Sequence, residues 1–567
     1  MQAEVIFRSK KKVNKIYLND FIENNSSLIK KIFLSIIENT GKKKILKKNL
    51  RTYFQVNDYV NLWDLSHFSE KNIFRKDYIN KCLQYLAILE IIKYHRVKKI
   101  RLNNIDNEIY KILIKYKKNV NFKVIKKSKK SFTDVSKNFI LGNWLTAILI
   151  FFTKNISLKS NLNEFNYNSK SLILSYFCHY KKNFENKNFF VSDHWRGLEK
   201  KIKKDYFYLN FFISTQSYKS YNSLKIKVGE KIQNIKKKNF INNYFYFNDL
   251  IKVFYISFIY SWKFFFLFLI LKNKKDPQFA LLELSYNVQK ISFSGLTCLE
   301  NLKIYYSIKK FFHFNPNIKK CIYLMENHSW EKILLNFCYK RKILSYGYVH
   351  ATIPFWHLNY YQSKKFNKKN IYLPKKILTT SKINLNLLIN QGINKKKLEL
   401  VEALRYNWLN KFINKKTSYS TNKILVFGDY EKKINEELLE IIKNLLEKRN
   451  DLVVYYKPHP GDVNNYDYKI NRLKIIYHLP KKLNFKLYVF SNSTSAAAEY
   501  THLTNDIAIF NSKFSINLSP FKGLKKYQSN FFSNEIELKK ILTSKVKNNF
   551  NFFFYLNDTL TKWKVII

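Results

Sequence analysis

At 567 residues with 46% hydrophobic content, the chain has material for roughly two to four domains, each able to bury its own core. Its formal net charge is +62, from 102 Lys and Arg against 40 Asp and Glu. That excess favours an anionic partner such as a phosphorylated substrate or an acidic membrane surface. The charge is spread along the whole chain, however, and 49 Phe and 41 Tyr beside only 10 Gly and 8 Pro also fit the codon usage of an AT-rich genome. The five cysteines (Cys82, Cys178, Cys298, Cys321 and Cys338) are odd in number and form no C-x-x-C pair. They argue against a disulfide framework or zinc site and fit a reducing cytoplasm. The N-terminus holds no apolar run long enough for a signal peptide. No helix-turn-helix, zinc finger or RNA-binding signature is present, so nucleic acid is not an expected partner.

In chain order, residues 1–135 read as mixed α/β, with a helix over 78–94 and strands at 99–102 and 120–125. Residues 136–275 hold two apolar segments around an α/β stretch. The first, 139–152, is too short to span a bilayer comfortably. The second, 253–271, carries Lys263 near its centre, Trp262 beside it, and Lys252, Lys272, Lys274 and Lys275 as flanks. This pattern suits a helix lying in a membrane interface, with lysines at the phosphates; a buried core helix and a spanning helix are the alternatives. Residues 276–415 alternate: a strand at 279–284, a helix at 292–309, a strand at 321–325, a polar turn Glu326-Asn327-His328-Ser329, a helix at 330–339, and a strand at 343–349 ending at His350.

Residues 416–545 give the clearest pattern. Strands are expected at 424–427, 452–456, 487–490 and 506–510, with helices at 435–448 and 496–500. Strand, loop and helix in this alternation build a parallel, doubly wound sheet, with ligands at the carboxyl ends of its strands. Two polar turns sit at such ends. In Lys457-Pro458-His459-Pro460, the prolines stiffen the backbone and aim His459 out of the strand end, where it can donate a proton or hydrogen bond to a phosphate oxygen beside the Lys457 charge. In Ser491-Asn492-Ser493-Thr494-Ser495, short hydroxyls and backbone N–H groups ahead of a helix offer a phosphate cradle; simple N-capping is the alternative.

The KPHP turn, followed by the serine-rich turn with Ala496, Glu499 and Tyr500, resembles the nucleotide-sugar glycosyltransferases of the GT-B fold. It looks closest to bacterial surface-carbohydrate biosynthesis proteins, and is similar to polysialyltransferases and capsule Kdo transferases. The resemblance extends to WDLSHFSEKN (63–72), SYFCHY (175–180), SDHWRGL (192–198), ENHSWEK (326–332), YGYVHATIPFWHLNYY (346–361), INLSPFKG (516–523) and FFFYLNDTLTKW (552–563). Ala403 departs from it, standing where a glycine is expected.

The resemblance implies an α/β, GT-B-like fold of two Rossmann-like doubly wound lobes with a cleft between them. The acceptor lobe would comprise 1–135 and 276–415, with 136–275 inserted; 416–545 would bind the nucleotide sugar, and 546–567 would pack back on the N-terminal lobe. It implies a glycosyltransferase at the cytoplasmic face of the inner membrane, building a surface polysaccharide from a CMP-activated acidic sugar. The acceptor would be a glycan or lipid-linked glycan. His459 would contact the donor phosphate together with Lys457, Pro460, Ser491, Asn492, Ser493, Thr494, Ser495 and Glu499. No D-x-D triplet or metal-ligand pattern occurs, so transfer without metal or cofactor is expected. Glu326, leaving a buried strand just before a helix, is the first candidate for a general base in the acceptor lobe, and Asp193 the second. His350 and His357 flank Phe355-Trp356, a run that would serve either as a sugar-stacking platform or as core. A polyol-phosphate transferase of the teichoic-acid type and a noncatalytic assembly scaffold are the alternative functions.

Overall fold

The computed structural model describes residues 3–9, 12–45, 47–73, 76–127, 140–155, 169–177, 192–196, 198, 206–212, 221, 238–273, 276–361, 372–412, 422–462, 470–479, 485–544 and 553–567. Cys178, the end of SYFCHY, Gly197, Lys274, Lys275 and Phe552 lie outside the described residues.

The chain opens with strands β1 (Glu4–Ser9) and β2 (Lys12–Tyr17), then helices α1 (Leu18–Asn24) and α2 (Ser26–Lys42). Helix α3 (Lys76–His95), β3 (Lys99–Ile105) and β4 (Asn121–Lys127) complete a mixed four-stranded sheet of order β2-β1-β3-β4. The next seven strands form one wholly parallel sheet: β5 (Ser171–Tyr176), β6 (Tyr206–Phe211), β7 (Lys238–Phe240), β8 (Lys320–Leu324), β9 (Leu344–Val349), β10 (Lys376–Thr379) and β11 (Leu398–Leu400). Their order is β11-β10-β9-β8-β5-β6-β7. The last sheet, also parallel, has order β14-β13-β12-β15-β16-β17: β12 (Lys423–Phe427), β13 (Val453–Lys457), β14 (Leu473–Ile475), β15 (Leu487–Phe490), β16 (Ile507–Phe510) and β17 (Phe531–Phe532). These two sheets make the expected pair of Rossmann-like, doubly wound lobes. Their strands read as continuous apolar runs because helices cover both faces.

Each lobe has its own apolar core around its parallel sheet. In the C-terminal lobe, helix α4 (Lys432–Lys448) turns Ile434, Leu438, Ile442 and Leu445 inward at helical spacing. Gly428 ends β12 where a Cβ would lie 2.3 Å from the Tyr456 hydroxyl and 2.8 Å from its ring, so only glycine lets the two strand ends approach.

Two sequence expectations change. The run 279–284 is not a strand: a short 3-10 turn, Pro277–Phe279, leads into the helix Ala280–Leu284. An apolar run this short carries no decisive period, and its Ala, Leu and Glu are helix formers. The helix expected over 292–309 is two, Tyr286–Ser294 and Leu296–Phe314, broken at Gly295. A side chain there would lie 2.8 Å from the Ile291 backbone.

The apolar segments form the helices Ile140–Asn155 and Phe247–Asn273, the second long and apolar enough to cross a membrane by length and composition. They pack together, Trp144 donating to the Ser257 hydroxyl at 2.9 Å. The longer helix buries Leu250, Val253, Ser257, Tyr260, Phe264, Leu267 and Leu271 on one face and exposes Phe247, Ile251, Tyr255, Phe266 and Leu269 on another. Lys263 turns toward the protein, 4.3 Å from the Tyr260 ring.

Replacing Gly428 with alanine should cost about 1–3 kcal/mol through overpacking. Denaturant unfolding of Gly428→Ala checks this, and Tyr456→Phe in the same background should restore part of the loss.

Candidate functional site

In both parallel sheets the strand order reverses once, and each reversal opens a crevice at the carboxyl ends of two neighbouring strands. In the N-terminal lobe it lies between β5 and β8; in the C-terminal lobe, between β12 and β15. The carboxyl edges face each other. Phe355, in the loop after β9, packs against Gly523, in the loop after β16. Glu23 of α1 accepts from the Trp356 indole at 3.1 Å and the Asn517 backbone at 2.8 Å, and pairs with Lys522.

At the first reversal, β8 ends at Leu324, and after Met325 the chain releases Glu326, Asn327 and His328 into the crevice. His328 Nδ1 lies 2.7 Å from Glu70 Oε1, and Nε2 lies 2.9 Å from Glu326 Oε2. A carboxylate only accepts, so both ring nitrogens carry protons and His328 is an imidazolium bridging two carboxylates. Burial alone would lower the His328 pKa, but the bonds to Glu326 and Glu70 raise it to about 10. Burial likewise pushes Glu326 up, yet the His328 hydrogen bond and the His350 charge outweigh it and bring Glu326 to about 2. Glu70, only 3% exposed, also accepts from His67 at 3.1 Å; these bonds overcome burial and hold it well below the usual carboxylate range. His350 Nε2 stands 3.5 Å from Glu326 on its other side, and the His194 ring packs against His350 with centroids 4.2 Å apart. Burial lowers His357 to about 4, leaving it neutral.

Helix Ser329–Lys340 is not capped by Glu326. Glu331 turns back and accepts the Glu326 and His328 backbone N–H groups at 2.9 and 3.0 Å. This frees the Glu326 side chain for the crevice, where it is 29% exposed. A carboxylate held at about 2 is a weaker proton acceptor than an ordinary glutamate and a firmer fixed negative charge. It is suited to orienting a hydroxyl or balancing positive charge that develops in a transition state. Among the described residues no group of three or more His, Cys, Asp or Glu is placed to hold a metal ion. Asp193 lies in the 3-10 turn Asp193–Trp195, beside His194; its side chain is outside the described set. The Phe355-Trp356 run is core: Trp356 is fully buried on Glu23, and Phe355 carries the Lys30 ammonium 4.0 Å from its ring.

At the second reversal the serine-rich turn meets Asp429, which follows β12 and is fully buried. The Ser493 backbone and hydroxyl both donate to Asp429 Oδ2, at 3.2 and 2.6 Å. The expected open cradle is therefore partly filled by the protein's own carboxylate. Asn492 ties down the loop after β16, donating to the Ile516 carbonyl and accepting from the Ser512 backbone. Ser491 is buried, its N–H held by Phe427. Helix Ala496–Tyr500 has five residues, too short for a strong dipole. Thr494 and Ser495 remain toward solvent, and Glu499 is half-buried, its carboxyl raised by burial against the charge of Arg405.

His459 leaves β13 beside this reversal. Its Nδ1 accepts the Gly461 N–H at 3.0 Å, so in the neutral ring Nε2 carries the proton and is a donor. Its ring sits edge-on to Tyr430, centroids 5.9 Å apart. Lys457 ends the strand, its carbonyl accepting the Gly428 N–H, and Pro460 is exposed. The sequence reading thus named Glu326 and His350 in the first cluster, and the serine-rich turn and His459 in the second. It missed Glu70, His328, Glu331 and Asp429, whose roles depend on pairing across 258 residues for Glu70–His328 and 64 for Asp429–Ser493.

His328 raised from 6.5 to about 10 gives stability that is fully present below pH 6.5 and lost as pH rises through about 10. His328→Gln should cost about 3 kcal/mol near pH 6, the low end for breaking a buried pair, and the difference from wild type should shrink toward pH 10. Urea unfolding across that range reads this directly; a pH-independent difference would refute the imidazolium.

No family model matches the sequence, and no curated protein does. Solved structures that align include the Methanocaldococcus jannaschii UDP-GlcNAc 2-epimerase in complex with UDP-GlcNAc and UDP, at 14% identity over 70% of this chain and 98% of that one, TM-score 0.37. A putative UDP-N-acetylglucosamine 2-epimerase from Listeria monocytogenes aligns at 9% identity over 70% and 95%, TM-score 0.37. The glycotransferase of kitacinnamycin aligns at 7% identity over 66% and 90%, TM-score 0.35. At these TM-scores the fold assignment rests on the strand order of this chain itself.

Proposed function

We propose that the protein is a glycosyltransferase that moves a sugar from a nucleotide donor, CMP-linked and acidic, onto a glycan or lipid-linked glycan of a bacterial surface polysaccharide. The observation that carries this reading is the pair of polar clusters at the two strand-order reversals, on sheet edges that face each other. The C-terminal cluster takes the donor: His459 Nε2–H and Lys457 serve the phosphate, with Thr494 and Ser495 as further donors. In the N-terminal cluster, Glu326 receives the acceptor hydroxyl, with Asp193 as the second candidate for proton removal. The cytidine preference rests on the motif resemblance.

Charge builds on the leaving phosphate mainly in the transition state, so the His459 contact should affect turnover more than donor binding. CMP should raise the melting temperature more than UDP or GDP does. His459→Ala should keep that shift largely intact while lowering the transfer rate on the order of a hundredfold. A clear UDP preference would sink the cytidine assignment, and near-normal transfer by a folded His459→Ala protein would remove His459 from the mechanism.

We also propose that the chain works as a peripheral protein on the cytoplasmic face of the inner membrane. The exposed apolar faces of Ile140–Asn155 and Phe247–Asn273 form one surface, and the +62 charge complements anionic lipid. The protein should sediment with phosphatidylglycerol vesicles and leave them in high salt or mild detergent. Leu149→Glu with Phe266→Glu should abolish sedimentation, while salt- and carbonate-resistant binding would indicate a spanning helix.

A further inference from the structure

Directly behind the carboxylate–histidine cluster lies a pocket of about 500 Å³, counting the space open to solvent, that none of the roles above uses. Among the described residues its wall brings together Lys42, Arg51, Lys71 and Lys332 with the carboxylates Glu38 and Asp64, and Glu70 lines the adjoining cavity. Asp64 is already engaged, accepting from Arg51 at 2.6 Å and from the Tyr372 hydroxyl at 2.9 Å. The two lysines deepest in the wall have weaker company. Lys71 is only 5% exposed and reaches the Ser69 carbonyl at 3.4 Å. Lys332 donates to the Asp64 main-chain carbonyl. Both ammonium groups lose hydration with no ion pair among the described residues to offset it, and burial lowers both, Lys71 to about 8, although the nearby carboxylates Asp64 and Glu70 pull each the other way.

The pocket is continuous with the crevice. A second cavity, lined by Glu70, His328, Glu331 and Asn359, shares Ser69, Lys71, Lys332 and Tyr372 with the first. An anion seated among the lysines would therefore lie next to the imidazolium bridge and one step from Glu326.

We propose that this pocket binds an oxyanion, and that the oxyanion is the carboxylate or phosphate of the acceptor, held so that an adjacent hydroxyl reaches Glu326. The acceptor assignment rests on the transferase reading; the anion site itself does not. A carboxylate or phosphate would supply Lys71 and Lys332 with a directly contacting anion in a desolvated wall, where a charge-assisted hydrogen bond is worth more than at the surface. Neutral acceptors would leave both ammonium groups without a charged hydrogen-bond partner, so the site favours an acidic glycan or a phosphorylated carrier.

The test uses the whole 567-residue chain with inorganic phosphate and with glucuronate as probes, followed by thermal shift and calorimetry. Both should bind saturably to wild type, the tighter of the two identifying the anion's source. Lys71→Met and Lys332→Met should weaken that binding at least tenfold, and Lys71→Met should melt no lower than wild type without anion, because a desolvated cation is gone. Lys448→Met, an exposed lysine paired with Glu535, controls for general charge and should bind as wild type does. Should a buried-lysine variant fail to fold, Lys42→Met at the exposed rim should still weaken binding severalfold. Equal anion affinity in wild type and the folded pocket variants, or no saturable binding in wild type, overturns the proposal. The nucleotide-induced shift reads separately: no shift in wild type with CMP, UDP or GDP while anion binding is intact defeats the transferase reading and leaves the pocket.

Discussion

Parallel strands that wind outward in one direction, return to the middle, and wind outward in the other must part their loops at the return. That topological constraint is met twice in this chain, between β5 and β8 and between β12 and β15, and the two polar clusters described above gather at those places. The Glu326 turn, the Asp429–Ser493 pair and the His459 turn all sit at or beside a reversal because the hydrogen-bonded ladder stops there and the side chains are released from the packed layers.

The N-terminal cluster shows how buried charge is made tolerable. Glu70 has almost no exposure, and a lone carboxylate there would protonate instead of ionising. The His328 imidazolium, with one nitrogen on Glu70 and the other on Glu326, keeps both ionised. The result is a hydrogen-bonded line from His67 through Glu70 and His328 to Glu326 at the crevice. The mouth of that line is a carboxylate that is firmly anionic, and its flank is a lysine-rich pocket with the opposite imbalance.

Two further carboxylates hold the lobes in relation to each other. Glu23 gathers donors from α1's own lobe and from the loop after β16. Glu402, fully buried between the lobes, accepts from the Thr561 hydroxyl and the backbones of Lys562 and Trp563 at the start of the last helix, Thr561–Ile566. That helix drives Trp563 against Trp195 and Tyr348 of the N-terminal lobe, while Phe553 and Phe554, just before it, are anchored on Thr501 and His502 of the C-terminal lobe. A short tail thereby clasps both lobes with a buried carboxylate as its fastening.

The sequence by itself determined the doubly wound C-terminal lobe, because continuous apolar runs separated by amphipathic helices have one parallel solution. It also located the KPHP and serine-rich turns, since prolines and clustered hydroxyls at strand ends announce themselves locally. It assigned the short run at 279–284 to a strand where the structure has a helix, because six apolar-rich residues fit either until their neighbours choose. What only the tertiary structure decided were the partners: Glu70 for His328, Asp429 for Ser493, Glu23 for Trp356, and the lysines that meet around Asp64. Each joins segments far apart in the chain. No local spacing encodes such a pairing; it exists only when packing brings both groups out of water together and the desolvation of one makes the charge of the other necessary.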